Sequence, residues 1–161
     1  MQRWLPLLMI LAGLALAALY FGPGAYRNML FKRDCRGLLA DITKGDTSAV
    51  LNYLEQDQRN TLAQLLSTNV PPDYHQRIES LKLTSWQKTD PATVWAIVTL
   101  KLESDTASFG LYQGKLRWRY DETGRRWALD LLGSYGAVYS TTGEPEWISL
   151  EEAIGYAKAL R

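Results

Sequence analysis

The sequence has only one cysteine and one histidine among its 161 residues. Because Cys35 stands alone, no disulfide can form within the chain, and because His75 stands alone, a site built from several imidazoles is excluded. The motifs G-x-S-x-G, C-x-x-C and H-E-x-x-H and a Gly-rich phosphate loop are also missing. We therefore expect no metal site, no cofactor and no catalytic residues.

An excess of charge of one sign is missing as well. The chain carries 18 Lys+Arg and 17 Asp+Glu, and only Arg3 precedes residue 27, so residues 27–161 hold 17 of each sign. Nucleic-acid binding needs a marked basic excess that displaces counterions from the phosphates. This balance excludes nucleic acid as the main partner.

What the chain does have is an apolar run from Trp4 to Phe21 that contains no charged residue. Its 18 residues are just enough to cross a hydrocarbon core as a helix, at about 1.5 Å per residue over roughly 30 Å. We predict an anchor over residues 1–26 and one soluble α+β domain over residues 27–161. The alternative is a cleaved signal peptide with its cleavage site at Ala15-Leu16-Ala17.

The orientation of this single-pass membrane protein follows from two opposing observations. Basic residues such as Arg27 and Lys32 follow the run, and the positive-inside rule taken alone would put the following domain in the cytoplasm. That rule is counted over short loops, however, and a large folded domain is exported despite basic flanks. We expect the domain to lie outside the cytoplasm, on the periplasmic side.

Helical spacing of apolar residues continues directly after the anchor. Phe31, Cys35 and Leu38 recur on one face, which predicts an amphipathic helix with Cys35 as a buried hydrophobe rather than a reactive thiol. Gly45 ends this helix and Asp46 caps the next. A third short helix is predicted from about residue 57 to 67.

The period of the pattern then changes from helix to strand. Residues 77–88, 93–103, 108–120 and 125–134 alternate and are rich in β-formers, which predicts four antiparallel strands. A four-residue loop closing the last hairpin symmetrically would place Trp118 opposite Trp127. The capping box from Ser149 to Glu152 opens a C-terminal helix. The predicted fold is therefore α+β: an N-terminal transmembrane helix, two to three helices packed on a curved four-stranded antiparallel sheet, and a C-terminal helix.

Alternation in the strands also predicts a partner-binding patch. If Val98 and its neighbours at i±2 face the helices, the opposite face presents large aromatic and basic side chains, which are enriched at interface hot spots. The predicted patch consists of Trp86, Trp95, Ile97, Arg117 and Arg119. The alternative is that the C-terminal helix folds back over this face within the same chain.

The order of elements and the hairpin formed by residues 116–120 and 125–129 resemble the nuclear transport factor two-like superfamily, a cone-shaped fold whose N-terminal helices close over a bent sheet. A membrane-anchored version is similar to the assembly-scaffold subunits of bacterial type IV secretion machines. The resemblance implies an architecture with one N-terminal span and a domain outside, and it transfers no function. This chain is shorter than those subunits and lacks their long cytoplasmic tail.

Three classes of function remain open. The first is a membrane-tethered, non-catalytic interaction or scaffold domain, with a protein partner or a second copy of the chain as its ligand. The second is a domain that binds a small apolar ligand in a cone-shaped pocket between helices and sheet. The third is a lyase or isomerase, which the resemblance would build from Asp73, His75 and Asp130. An open apolar pocket favours the second class, a pocket into which His75 or Asp130 points favours the third, and a filled one favours the first.

Overall fold

The computed structural model describes residues 5–69, 74–103, 111–139 and 145–152. Helices come first along the chain and strands follow. The helical elements are α1 (Leu5–Lys44), α2 (Thr47–Leu51), α3 (Arg59–Asn69) and a 3₁₀ turn at Tyr74–Arg77. The strands are β1 (Ile78–Asp90), β2 (Thr93–Leu102), β3 (Leu111–Asp121), β4 (Arg126–Tyr139) and β5 (Pro145–Ser149). The predicted α+β class is confirmed.

The strands form one antiparallel meander in the order β1-β2-β3-β4-β5, so the sheet has five strands rather than the predicted four. The fifth strand pairs with the C-terminal part of β4, where Ala137 lies opposite Trp147. The prediction missed β5 because it is five residues long and begins with Pro145, which cannot donate a backbone hydrogen bond and so weakens any strand signal. β4 is correspondingly longer than predicted.

The hairpin between β3 and β4 has a different register from the predicted one. Tyr120, not Trp118, lies opposite Trp127, because the four-residue loop begins after Asp121 rather than at it. The carboxylate of Asp121 accepts hydrogen bonds from two backbone N–H groups of the turn, both at 3.0 Å, and Arg125 takes the positive φ of 48°. The observed pairing is shifted by two residues from the predicted one. A shift by an even number of residues does not change which way a side chain points, so the large side chains stay on the predicted face.

The inner face of the sheet is covered by the second half of α1. Its buried apolar side chains are Leu30, Phe31, Cys35, Leu38 and Leu39. Phe31 is central, with ring centroids 5.4 Å from Trp86, 5.9 Å from Trp118 and 5.8 Å from Trp127. The predicted amphipathic helix is confirmed. Burial raises the pKa of the Cys35 thiol to about 12, with only partial opposition from the charge of Arg36, so this thiol is a packed hydrophobe.

The chain turns sharply at the end of α1. Gly45 adopts φ 76°, a conformation that glycine takes at no steric cost, and the carboxylate of Asp46 accepts a hydrogen bond from Ala49 N at 2.9 Å as the N-cap of α2. Both predictions are confirmed. Beyond α2, Leu129 of β4 exchanges backbone hydrogen bonds with Tyr53 and Glu55 at 2.7 and 3.1 Å. The segment after α2 therefore pairs with the N-terminal half of β4, whereas β5 pairs with the C-terminal half.

The two ends of the chain are described in part. The predicted capping box is present, since Glu152 N donates to Ser149 Oγ at 3.1 Å and Ser149 N donates to Glu152 Oε2 at 3.2 Å. The rest of the predicted C-terminal helix falls on residues 153–161, which lie outside the described residues, as do most side chains between residues 5 and 21. No helix in the described part of the chain has the length and apolar character required to span a membrane.

Candidate functional site

Four of the five residues in the predicted patch share the outer face of the sheet. Trp95 and Arg117 lie opposite each other in β2 and β3, and Ile97 and Arg119 follow at two-residue steps. The outward orientation predicted for Trp86 is wrong. A register shift in β1 between Leu83 and Ser85 reverses the alternation of side chains. Trp86 therefore lies opposite Ala96, an inner residue, and packs against α1.

Trp95 is the centre of an aromatic and basic cluster on this face. Its ring lies 5.9 Å from that of Tyr135 at an interplanar angle of 34°. Lys115 Nζ and the Arg117 guanidinium carbon lie 5.0 and 5.8 Å from the indole centroid, within range of cation–π attraction. Sequence reasoning missed Tyr135 because it ended the last strand one residue before it. We call Trp95, Tyr135, Lys115 and Arg117 the outer cluster.

Arg117 is also committed to a buried carboxylate. Its Nε donates to Asp130 Oδ2 at 2.7 Å, and one terminal nitrogen makes a second, shorter contact with the same oxygen. Gln58 Nε2 and the Gly133 backbone N–H donate to the other oxygen at 2.8 and 2.9 Å. Asp130 is thus a structural residue that holds the irregular part of β4 against β3 and the connection after α2. Lys115 lies opposite Tyr135, outside this network.

The electrostatics of this network shift the pKa values of two carboxylates, Asp130 and Glu55, in opposite directions. Burial acts to raise the pKa of Asp130, but the hydrogen bonds from Gln58, Gly133 and Arg117 outweigh it, so the pKa lies below its ordinary value. The pKa of Glu55 is raised, first by burial and then by the negative charge of Asp130, with Arg119 opposing. Arg119 lies 3.7 Å from Glu55 and 3.4 Å from Asp130, so it belongs to the same network.

His75 and Asp130 are not brought together. Asp130 stands in the row of Trp95, whereas His75 precedes Ile78, which lies opposite Leu102. Seven residues of β2 separate those two rows, a distance of about 23 Å at 3.3 Å per residue. Asp73 lies outside the described residues. A His/Asp pair with Asp130 is therefore excluded by the register of the sheet.

The inner face contains an open cavity of about 550 Å³ beyond the point where α1 ends. Most of its lining is apolar. We call it the apolar cavity, and its lining residues are Ile42, Arg77, Ile78, Leu81, Val98, Leu100, Leu102, Tyr112, Gln113 and Gly114. Neither His75 nor Asp130 is among these residues.

The position of the apolar cavity follows from the lengths of the elements. Phe31, Trp86, Trp118 and Trp127 fill the space under the second half of α1, whereas the sheet extends past Ile42, close to the end of the helix. Gly114 widens the space further, because a Cβ at this position would lie only 3.2 Å from Val98 Cγ2. The helix end and one missing side chain thus leave strand side chains uncovered.

A second cavity of about 500 Å³ lies between α1 and the first strand. It differs from the apolar cavity in that Arg36 of α1 contributes a positive charge to its lining, whereas Lys82 borders it from β1 with its side chain on the outer face, opposite Thr99. We call it the cationic cavity, and its lining residues are Arg36, Leu39, Ala40, Thr43, Leu81, Lys82 and Leu83. Leu81 lines both cavities.

Metal binding finds no support in the described part of the chain, where no three His, Cys, Asp or Glu side chains are grouped to hold an ion. What the fold and site define is a class: an α+β domain with one long helix across a five-stranded meander and an open apolar cavity beyond the helix end. No family model, no curated protein and no solved structure matches the chain. The resemblance to the cone-shaped superfamily therefore remains a prediction.

Proposed function

We propose that this chain is a membrane-tethered domain that binds a small apolar ligand in the apolar cavity. The observation that carries the proposal is an open space of about 550 Å³ with a largely apolar lining. Ligand pockets are typically concave, mostly apolar and about 300 to 1,000 Å³ in volume, with a few polar groups that orient the ligand. Arg77 and Tyr112 have the polar side-chain groups of this lining, because Gln113 lies opposite Thr99 and its side chain is on the outer face of the sheet.

The energetics favour an occupant. An empty apolar cavity open to water leaves strand residues such as Leu100 and Leu102 hydrated, and each methylene that a ligand removes from water contributes about 0.8 kcal/mol. Of the three classes that the sequence left open, an open apolar pocket without His75 or Asp130 in its lining favours ligand binding.

The membrane tether rests on the sequence. The run from Trp4 to Phe21 has the length and composition of an anchor, and at two positions within it the side chains of Met9 and Leu16 are 70% and 66% exposed. Exposed apolar side chains on one helix are stabilised by contact with lipid. We propose that residues 1–26 anchor the chain and that the domain lies on the extracytoplasmic side.

Photo-cross-linking tests the ligand proposal on the full chain in phosphatidylcholine nanodiscs. The probe is dodecanol with a mid-chain diazirine, and cross-linked peptides are identified by mass spectrometry. We expect labelling in the peptides that carry Leu100 and Tyr112. In Leu100→Trp the added ring fills the cavity, so labelling there should fall at least about tenfold, which corresponds to 1.4 kcal/mol.

The matched control is Lys101→Trp, which adds the same ring to the next residue of β2, on the opposite face. Labelling of the cavity peptides should be unchanged in this variant. Equal labelling in wild type and Leu100→Trp would show that the probe reacts elsewhere, and the proposal would fail.

A second candidate function is favoured by the outer cluster. Tryptophan and arginine are the residues enriched at interface hot spots, and Trp95 presents its ring next to Tyr135 on the face opposite α1. We propose that this cluster is the contact surface for a second copy of the chain or another protein. Because Arg117 holds the buried Asp130, the informative double variant is Trp95→Asp with Lys115→Glu. Sedimentation of the full chain in detergent should show loss of self-association with an unchanged melting temperature; persistence of the oligomer would contradict this candidate.

A further inference from the structure

Arg27 connects α1 to the two turns at one end of the sheet. Its guanidinium donates to the Pro91 carbonyl oxygen, in the turn between β1 and β2, at 3.3 Å. It also pairs with Glu122, in the turn between β3 and β4, at 2.6 Å. The same guanidinium lies 4.4 Å from the centroid of the Tyr120 ring, within range of cation–π attraction. One side chain of α1 thus contacts both turns. We call these turns the hairpin tips; they comprise residues 89–93 and 121–126.

The position of Arg27 along α1 brings the hairpin tips close to the predicted anchor. Arg27 is six residues beyond Phe21, the last residue of the apolar run, which is about 9 Å along a helix. The headgroup layer adds about 5 to 8 Å on each side of the hydrocarbon core. Pro23 lies within α1, and a kink at proline would change the direction of the anchor but not this limit on distance. A helical side chain also leans toward the N-terminus of its helix, which for Arg27 is the side of the anchor.

The rest of the domain extends away from the hairpin tips. Ile42 lines the apolar cavity together with Leu100 of β2. From Arg27 to Ile42 is about 23 Å along a helix, and from Thr93, in the first hairpin tip, to Leu100 is also about 23 Å along a strand. The agreement of the two lengths indicates that α1 and β2 run side by side from the hairpin tips to the cavity. The hairpin tips are therefore the end of the sheet that is nearest to the anchor.

The charges of the hairpin tips do not oppose contact with phosphate groups. The acidic side chains are engaged within the chain. The Asp90 carboxylate accepts a backbone N–H of its own turn at 2.8 Å, Asp121 accepts two at 3.0 Å, and Glu122 pairs with Arg27. Arg125 of the second tip is exposed and takes part in no ion pair within the described part of the chain. The tips therefore present engaged carboxylates and an available guanidinium donor, which suits contact with phosphate.

We infer that the hairpin tips rest on the phospholipid headgroups of the bilayer that holds the anchor. The domain then stands on the membrane, with the apolar cavity at its far end. This inference rests on the membrane tether of the proposed function and adds the surface that faces the lipid. It does not depend on ligand binding in the cavity.

Fluorescence quenching on the full chain in phosphatidylcholine nanodiscs tests the inference. Thr89→Cys and Thr123→Cys each place one bimane label on a hairpin tip, at positions that are exposed. The quencher is phosphatidylcholine with a nitroxide on its choline group. Cys35 stays in place, because it is buried and its thiol is protected from the label. Melting temperatures close to that of the wild type show that the variants are folded.

Lys101→Cys is the matched control, because Lys101 is also exposed but lies eight residues beyond Thr93 on β2, about 26 Å away along the strand. We expect quenching of the labels in Thr89→Cys and Thr123→Cys to be at least about threefold stronger than in Lys101→Cys, because only the tips reach the headgroups. Equal quenching at all three positions would mean that the sheet lies flat on the bilayer, and the inferred orientation would be wrong.

Tyr26→Cys separates this inference from the tether on which it rests. Tyr26 is exposed and precedes Arg27 by one residue, so its label lies near the headgroups whatever the domain does. Quenching in Tyr26→Cys without quenching at either hairpin tip would leave the tether in place and overturn the inferred contact. If the label in Tyr26→Cys is not quenched and the chain separates from the nanodiscs in gel filtration, the tether itself is wrong and the inference fails with it.

Discussion

At the scale of single residues, Trp127 links the helix to the sheet. Its indole N–H donates to the Arg27 carbonyl oxygen at 2.8 Å, and its ring meets Phe31 and Tyr120 edge-on with centroids at 5.8 and 5.3 Å. The side chain is 1% exposed. Trp127 of β4 therefore holds the part of α1 around Arg27 and Phe31 against the sheet.

We predict that Trp127→Ala lowers the free energy of unfolding by about 3 to 5 kcal/mol, because it leaves a cavity where three aromatic rings now meet. Trp127→Phe keeps most of the packing and loses the hydrogen bond, so its cost should be about 1 to 2 kcal/mol. Urea unfolding of both variants measures the difference. If Trp127→Ala is as stable as the wild type, the assignment of Trp127 to the core is wrong.

Asp130 makes stability depend on pH in a predictable direction. Its pKa in the folded chain lies below the ordinary value near 3.9, so the carboxylate stabilises the fold above about pH 4, and this contribution is lost as the pH falls through the folded-state pKa. Asp130→Asn has no such contribution. We predict that the stability difference between the wild type and Asp130→Asn is largest near neutral pH and narrows below about pH 4.

Glu55 acts in the opposite sense, because its raised pKa favours the protonated form in the folded chain. Its contribution is present below the unfolded-state pKa and is lost as the pH rises through the folded-state value. Because the charge of Asp130 also raises the pKa of Glu55, the difference between wild type and Asp130→Asn reports Asp130 together with its effect on Glu55. Glu79→Gln, which removes an exposed partner of Lys101, is the control and should show a small difference at every pH. A gap for Asp130→Asn that stays constant from pH 6 to about pH 2.5 would contradict the account.

At the scale of elements, local features of the fold were predictable and non-local ones were not. The amphipathic face around Phe31, the end of α1 at Gly45 and the cap at Asp46 depend on residues within one turn of each other, so the sequence contains all that determines them. The register shift that turns Trp86 inward depends on how β1 meets β2, which no local pattern reveals.

The same reason explains the errors in the last two strands. The loop between β3 and β4 can begin at Asp121 or after it, and both choices leave the same side chains on the same face of the sheet. Only the hydrogen bonds to the Asp121 carboxylate distinguish them. The interpretation of the outer face was right for Trp95 and Ile97 because alternation within β2 is regular. The network around Asp130 draws on β3, β4 and Gln58, so it required the tertiary structure.

Gly45 offers a test of the turn after α1. Its φ of 76° is strained for any residue with a Cβ, and a Cβ there would lie 2.5 Å from His75 Nδ1. We predict that Gly45→Ala lowers the free energy of unfolding by about 1 to 2 kcal/mol. Gly136→Ala is the control, since a Cβ at that position in β4 meets nothing within 4 Å, and it should be neutral or slightly stabilising. Equal melting temperatures for the two variants would contradict the geometry of the turn.

At the scale of the whole molecule, α1 is one continuous helix that passes from the predicted anchor into the domain. Arg27 of α1 contacts the end of the sheet, since its guanidinium donates to the Pro91 carbonyl oxygen at 3.3 Å and pairs with Glu122 at 2.6 Å. Tyr26, one residue earlier, is 52% exposed.

We predict that a chain starting at residue 27 is soluble and folded, because it keeps the described contacts of α1 with the sheet. Circular dichroism should show a cooperative thermal transition, and fractionation should show that this chain is released from membranes that retain the full chain. Release of both chains would overturn the anchor, and a non-cooperative melt of the shorter chain would show that residues 1–26 are needed for folding.

A cavity between helices and sheet could be expected from the sequence, but its position and its lining residues could not. The resemblance implied a space between helices and sheet, and the decisive fact is where α1 stops relative to Leu100. That fact depends on how far the helix extends over the strands, and hydrophobic periodicity specifies only which face is buried.

The most direct measurement is mass spectrometry of the organic extract of the purified full chain, compared between wild type and Leu100→Trp. The account predicts an apolar ligand near one equivalent per chain in the wild type and its loss from Leu100→Trp, with Lys101→Trp resembling the wild type. If the extract contains the same lipids in the same amounts from wild type and Leu100→Trp, the apolar cavity is not a ligand site.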